Sequence, residues 1–107
     1  METILCAAIW YKDIHLAIPG LDNQNPVNVD KGAVFCGHRH PHCMYTMVAI
    51  TGKASSEHVI GEYVQGFLTN KNRFVDRVEA RKIAYDAGQL AGRDVHSRTQ
   101  LFSEDLY

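Results

Sequence analysis

The chain has 107 residues, of which 46% are hydrophobic and 21% are charged, and this balance excludes an intrinsically disordered protein. Its 11 basic and 12 acidic residues give a formal net charge of −1, which excludes a generally basic nucleic-acid-binding protein. The longest apolar run, Ile4–Tyr11, is far shorter than the ~20 residues that span a bilayer, and it lacks the basic leader of a signal peptide. We therefore expect a single domain over residues 1–107.

The first half of the chain predicts two strands. Thr3–Tyr11 has the continuous apolar character of a buried strand, and Ile14–Ile18 would extend it or form a further short strand. A loop over residues 19–30 follows, because this segment is rich in Pro, Gly, Asn and Asp. Residues 33–36 then form the next strand, which Gly37 ends.

A helix is predicted over Pro41–Ile50. Its less polar residues follow the i, i+3, i+4, i+7 spacing of one helix face, namely Met44, Met47, Val48 and Thr51. Pro41 suits the first helical position, and Gly52 suits the position after the last turn.

The second half predicts a hairpin, in which a strand over His58–Thr69 and a strand over residues 73–75 are joined by a turn at 70–72. A second helix follows from Asp76 to Gly88. After it come a loop over residues 91–99 and a terminal element over Leu101–Tyr107. Asp76 would cap the helix, with Glu79 at the spacing of a capping box. The terminal element is either a short strand or one helical turn, and its last residues dock on the domain. This order predicts an α+β fold, with a small antiparallel or mixed sheet of about four strands packed with two α-helices.

Cysteine usage predicts a reducing compartment. Cys6, Cys36 and Cys43 form an odd number without a CxxC pair, so no disulfide framework is expected. We predict reduced thiols in a cytoplasmic protein. Cys36 is expected to be buried and inert, because Arg39 does not follow it at the spacing of a phosphatase signature.

The junction between the second strand and the first helix is a predicted anion site. Backbone N–H groups at a helix start lack intrahelical partners and lie at the positive end of the helix dipole, which suits phosphate or carboxylate. Arg39 would fork two hydrogen bonds onto the anion, with His38 and His40 beside it and the N–H groups of His42 and Cys43 as donors. The alternative is that the histidines cap the helix and Arg39 is a solvated surface charge.

Two further interpretations of this junction are weaker. The alternation of His38, His40 and His42 resembles the histidine-triad hydrolases, but Pro41 does not fit the strand on which that motif lies. A zinc ion would take Cys36, Cys43 and one of the first two histidines, although these ligands lack a distant second arm. We predict neither a metal nor a cofactor.

A second predicted ligand-binding group surrounds the hairpin and the second helix. Arg73 and Arg77, with Gln65, Phe67 and Phe74, would form a basic, aromatic-lined wall for a nucleotide base and its phosphates. The alternative is a solvated charged face.

The acidic pair Glu104 and Asp105 has two interpretations. These side chains would form salt bridges with Arg73 or Arg77, which is the structural alternative, or they would orient a histidine or accept ligand hydroxyls.

Four segments, ILCAAIWYKD, VFCGHRHPHC, QGFLTNKNRFVDRVEARKIAYDAGQ and LFSEDLY, resemble a group of small proteins of bacteriophages and their hosts. The resemblance covers most of the chain and is most specific from Gln65 to Gln89. It implies a phage or prophage origin and a location in the host cytoplasm. It assigns no catalytic residue, so whether the protein is an enzyme stays open.

Three functions follow as hypotheses. The first is a protein that binds a phosphorylated nucleotide-type ligand and sequesters a cyclic-nucleotide immune signal of the host, with the ligand-binding residues Arg39, His40, His42, Gln65, Phe67, Arg73, Phe74 and Arg77. The second is a metal-independent phosphodiesterase with His38 and His40 as acid and base. The third is a protein–protein inhibitor of a host enzyme. Because a chain of this size offers little concavity, we expect a homo-oligomer with the site near the subunit boundary.

Overall fold

The computed structural model describes residues 1–16, 20, 25–52, 61–90 and 99–106. Its elements, in chain order, are strands β1 (Ile4–Tyr11) and β2 (Ala33–Gly37), helix α1 (His40–Thr51), strands β3 (Tyr63–Thr69) and β4 (Phe74–Asp76), helix α2 (Arg77–Asp86) and a 3-10 turn (Ser103–Asp105). The four strands form an antiparallel sheet in the order β2-β1-β3-β4. The predicted α+β class and element order are therefore confirmed.

Both helices pack on one face of the sheet. Successive side chains of a strand point to opposite faces, so this face carries alternate residues of β1 and β3. Ile9 and Tyr11 of β1 and Phe67 of β3 are fully or almost fully buried there, against Met47 of α1 and Ala80 of α2. The main core of the molecule therefore lies between the helices and the sheet.

The opposite face of the sheet has a smaller apolar cluster. Trp10 and Phe74 meet edge to face there, with ring centroids 5.8 Å apart, and Val29 covers them from the preceding loop. The Asn28 side-chain amide holds this loop against β4, because it donates to the Phe74 carbonyl at 2.6 Å and accepts from the Phe74 N–H at 2.8 Å.

Helix α1 buries a different stripe from the predicted one. His40, Cys43 and Met47 are buried, whereas the predicted core residue Val48 is 38% exposed. The buried face of α1 is rotated relative to the predicted face because His40, although polar, enters the core at the start of the helix. Pro41 consequently takes the second helical position rather than the first.

Other local expectations have mixed outcomes. Gly52 ends α1 with a φ of 72°, as expected of a residue that closes a helix in the left-handed conformation. Asp76 caps α2 by accepting the Glu79 N–H at 2.8 Å, but the Glu79 carboxylate turns to Arg73 and does not complete the predicted capping box. The terminal element is one helical turn.

Some expectations fall on unassigned or undescribed residues. The predicted strand over Ile14–Ile18 is not formed by residues 14–16, and residues 17 and 18 lie outside the described ranges. The parts of the predicted elements that fall on residues 53–60, on residues 91–98 and on Tyr107 also lie outside those ranges. Within the predicted loop over residues 19–30, residues 19 and 21–24 lie outside them as well.

Candidate functional site

His40 is the polar side chain that the fold buries at the start of α1. It is 5% exposed, and its ring packs edge-on against Phe67 with a centroid distance of 5.2 Å. Its Nε2 lies 2.8 Å from the carbonyl oxygen of Gly66. Because a carbonyl oxygen only accepts, Nε2 carries the hydrogen, and Nδ1 of the neutral ring is the acceptor.

The pKa of His40 reports which charges surround it. Burial is the main cause that lowers this pKa, and the positive charge of Arg77 lowers it further. The hydrogen bond to Gly66 and the negative charge of Glu104 act in the opposite direction. Arg77 and Glu104 therefore lie within electrostatic reach of the imidazole.

Arg77, the first residue of α2, approaches this histidine from the second helix. Its Nη2 donates to Oε1 of Gln65 at 2.6 Å, and its guanidinium carbon lies 4.7 Å from the centroid of the Phe102 ring. This geometry combines a hydrogen bond with a cation–π contact. Within the part of the chain that the structure describes, the buried Arg77 Nε has no hydrogen-bond partner.

Arg39 and Glu104 complete the arrangement. Arg39 precedes the first residue of α1, and its Nη1 lies 3.9 Å from Oε1 of Glu104. The turn that carries Glu104 is fixed by two hydrogen bonds: Phe102 N–H donates to Asp105 at 3.0 Å, and Leu101 N–H donates to the Arg77 carbonyl at 2.8 Å. The C-terminal turn thus reaches the start of both helices.

We refer to these converging residues as the Arg39–Arg77 cluster: Arg39, His40, Gln65, Arg77, Phe102 and Glu104. The cluster contains Arg39 and His40 of the predicted anion site, together with Gln65 and Arg77 of the second predicted ligand-binding group. Glu104 meets Arg39 here, where the sequence favoured Arg73 or Arg77 as its partner.

The structure corrects the expectation that two backbone N–H groups at the start of α1 are free to bind an anion. The N–H groups of His42 and Cys43 both donate to the Arg39 carbonyl, at 3.0 and 3.2 Å. The chain closes this turn on itself, so these two N–H groups are not free to donate to a ligand, and only the side chains and the helix dipole of the predicted anion site remain.

The other two histidines of the motif lie on the surface. His38 and His42 are exposed, and their ring centroids are 6.0 Å apart. Nδ1 of His42 accepts the Arg39 N–H at 3.2 Å. The alternation of the motif therefore separates these two rings from His40, which enters the core.

Four predicted ligand-binding residues are outside the cluster: the exposed His42, Phe67, which is fully buried in the core, Arg73 and Phe74. Arg73 donates to both carboxylate oxygens of Glu2, at 2.9 and 3.0 Å, and to Glu79 at 2.9 Å. Phe74 belongs to the apolar cluster on the opposite sheet face.

The structure also corrects the expectation that Cys36 is buried. Cys36 is exposed, because it lies on edge strand β2, while Cys43 is buried. A hydrogen bond from the Cys36 thiol lowers the pKa of Cys6 to about 7, and the same bond raises the pKa of Cys36. Among the described residues, no group of three or more His, Cys, Asp and Glu side chains is placed to hold a metal ion.

A family model described as phage T4 y16D protein matches residues 3–107. The match confirms the resemblance to a group of small phage proteins. Comparison with curated proteins and with solved structures gives no match. No helix within the described ranges has the length and apolar character needed to cross a membrane.

Proposed function

Because the chain belongs to the phage T4 y16D protein family, we propose that it is a phage accessory protein that binds a phosphorylated, nucleotide-type small molecule at the Arg39–Arg77 cluster. The observation that carries this proposal is the position of two arginines, at the starts of two helices, around one buried histidine. Two guanidinium groups favour an anion with more than one negative charge, and the dipole of α1 adds to their positive field.

Each side chain of the cluster has a role in this proposal. Arg39 would bind a phosphate in place of Glu104, whose contact at 3.9 Å is longer than a hydrogen bond. Arg77 would bind a second phosphate or the sugar edge, and Phe102 would offer its ring to a base. Gln65 and the neutral His40 would accept or donate hydrogen bonds to polar groups of the ligand.

The biological role follows from the phage family and the ligand class together. A phage protein that holds a cyclic-nucleotide signal of the host immune response would act by sequestration in the host cytoplasm. Sequestration requires affinity and no turnover, so arginines and a neutral histidine are sufficient for it.

The proposal predicts selective loss of binding when either arginine is removed. Calorimetric titration of the full chain with cyclic mono-, di- and trinucleotides and their linear forms identifies the ligand. Arg39→Ala and Arg77→Ala are each expected to raise Kd about tenfold or more, because a hydrogen bond to a charged group contributes ~1.5–3 kcal/mol. Heat denaturation followed by chromatography should return the ligand intact.

Lys82→Ala is the matched control, since it removes one positive charge from an exposed position of α2. Its Kd is expected to stay within about twofold of wild type, because an exposed charge at a distance is screened by salt. Absence of binding across the panel, or an equal loss in Lys82→Ala, would reject the nucleotide proposal.

A metal-independent phosphodiesterase is the second candidate, and the tautomer of His40 favours it. The Gly66 carbonyl holds the hydrogen on Nε2, so Nδ1 is available as a base. In this case the nucleotide would be recovered cleaved in the presence of EDTA. His40→Gln would then abolish cleavage and retain binding. His38→Ala would test whether the exposed His38, which lies apart from His40, acts as the acid.

A further inference from the structure

Among the described residues, no strand pairs with the outer edge of β2. β2 is a terminal strand of the sheet and pairs with β1 on its inner side. Across the described ranges, no hydrogen bond reaches its outer side. Sheets usually protect such an edge with lysine, proline or a bulge, and Ala33–Gly37 has neither a charged residue nor a proline.

Helix α1 is uncharged on the side that faces away from the core. It contains no Lys, Arg, Asp or Glu, and Tyr45 and Ile50 are 77% and 60% exposed. A surface helix normally places charged residues opposite its buried stripe, whereas a helix that is apolar all round is a buried one. The outer side of α1 therefore presents uncharged and partly apolar side chains where a surface helix usually carries charge.

The edge and the helix form one continuous surface. A Cβ on Gly37 of β2 would lie 3.0 Å from His42 Cβ, so the start of α1 packs directly on the edge strand. Residues four and seven positions later share this flank of the helix, which places Thr46 and Ala49 along the β2 side. We call the outer edge of β2 together with the flank from His42 to Ile50 the β2–α1 surface.

We propose that the β2–α1 surface is the interface of a symmetric homodimer. In this dimer β2 pairs antiparallel with β2 of a second copy, and α1 packs against the second α1 above the joined strands. The inference goes beyond the proposed function and does not depend on it, since it requires no ligand.

The spacing of the elements fits a second copy. α1 packs on both β1 and β2, so its axis lies over the gap between them. Strands lie ~4.8 Å apart, so a twofold axis outside β2 places the two α1 helices two strand spacings apart, at about 10 Å. Packed helices are separated by roughly 8–10 Å, so strand pairing and helix packing are satisfied together.

The charge of the surface also favours a second copy. A twofold interface brings one surface against the same surface of the second copy, so that surface must be self-complementary, and an uncharged surface meets this condition without a like-charge contact. Neither β2 nor α1 carries a charge from Lys, Arg, Asp or Glu, and antiparallel pairing of a strand with itself has the required twofold symmetry.

The oligomeric state of the full chain tests the proposal. Sedimentation equilibrium of wild type is expected to give twice the mass of the 12.0 kDa chain. Ile50→Lys and Ala49→Glu are each expected to raise the dimer dissociation constant at least tenfold, because each introduces an unpaired charge into the contact between the two copies. Tyr85→Lys is the matched control, since Tyr85 is 57% exposed on α2, outside this surface, and should leave the dimer intact.

A second readout does not require any interface variant to fold. Cys36 is exposed on β2 and lies close to the proposed twofold axis. A short bismaleimide should therefore link Cys36 to Cys36 of the second copy, and Cys36→Ser should abolish the linked dimer. A monomeric wild type, or a dimer without this link that Tyr85→Lys disrupts and Ile50→Lys does not, would overturn the proposal.

Discussion

The neutral state of His40 is imposed by its position under α1. The ring is enclosed between Phe67 and the start of the helix, and its Nε2 donates a hydrogen bond to the Gly66 carbonyl. A charged imidazole would lose its hydration there, and the nearby Arg77 charge would repel it. The core thus keeps the imidazole neutral, and protonation of His40 is coupled to unfolding.

This coupling predicts a pH-dependent stability. The unfolded histidine titrates near 6.5, whereas burial lowers the pKa in the folded protein. The unfolded state therefore binds more protons as the pH falls from about 7 to about 5, and acid favours unfolding in this window. We predict that His40→Gln, which keeps a donor for Gly66, reduces the loss of unfolding free energy over this range in urea titrations.

The matched control is His42→Gln, which removes an exposed histidine from the same helical turn. The comparison isolates the buried ring, because both variants lose one titratable group. If the two variants changed the pH dependence of unfolding by the same amount, burial of His40 would not be its cause.

At the scale of elements, the absence of a side chain at Gly66 of β3 allows the backbone of β4 to pack closely against it. A Cβ at this position would overlap the Val75 carbonyl oxygen and lie 2.8 Å from Cζ of Phe74. We predict that Gly66→Ala lowers the free energy of unfolding by about 3 kcal/mol, because a backbone oxygen cannot give way as a flexible side chain does. Denaturant unfolding measures this change.

Gly88→Ala is the control for this substitution. Gly88 has a φ of +74° and nothing within 4 Å of the position of a Cβ, so an alanine there meets backbone strain without a clash. Its cost is expected to be about 1 kcal/mol. Equal losses in the two alanine variants would show that the approach of β4 is not the constraint at Gly66.

Elements with local signals were predictable from the sequence. The apolar run of β1 and the cap at Asp76 depend on neighbouring residues alone, and both are confirmed. The buried stripe of α1 was not predictable in this way. Its first member, His40, counts as polar in any hydrophobic pattern, and its burial is compensated by a carbonyl of β3 that lies distant in sequence.

The residues of the candidate site also divide into those with a local sequence signal and those whose position depends on contacts between distant segments. The position of Arg39 before a helix is readable from the sequence, but its place in one cluster with Arg77 depends on β1 pairing with β3 and on the helices sharing a face. Arg73 resembles Arg77 in sequence and faces Glu2 instead. Phe102 carried no spacing signal, because its contact with Arg77 joins segments far apart in the chain.

At the scale of the whole molecule, polar contacts tie the start of β1 to the later elements. The Gln89 side chain pairs with the Ile4 backbone as a peptide group would, accepting its N–H and donating to its carbonyl, each at 2.8 Å. Glu2 receives two hydrogen bonds from Arg73 and one from the buried Thr69 hydroxyl at 2.7 Å. These contacts join residues at opposite ends of the sequence, so they oppose fraying of β1.

The Glu2 contact predicts a second, opposite pH dependence. The hydrogen bond from Arg73, followed by that from Thr69, lowers the pKa of Glu2 from 4.5 to about 2. The folded state therefore binds fewer protons than the unfolded state between these values, and the stabilisation present above 4.5 is lost as the pH falls toward 2. We predict that Glu2→Gln destabilises the protein by about 1 kcal/mol near neutral pH and that this difference from wild type shrinks toward pH 2.

Glu62→Gln is the comparison variant for this prediction. Glu62 pairs with Lys12 at 3.4 Å, but its side chain is 69% exposed, so its loss is expected to change stability by less than about 0.5 kcal/mol. Urea unfolding of the three proteins at several pH values separates the two carboxylates. A Glu2→Gln deficit that stayed constant with pH would mean that Glu2 stabilises the fold through packing of its stem, and the ion pair with Arg73 would not then be what holds the start of β1.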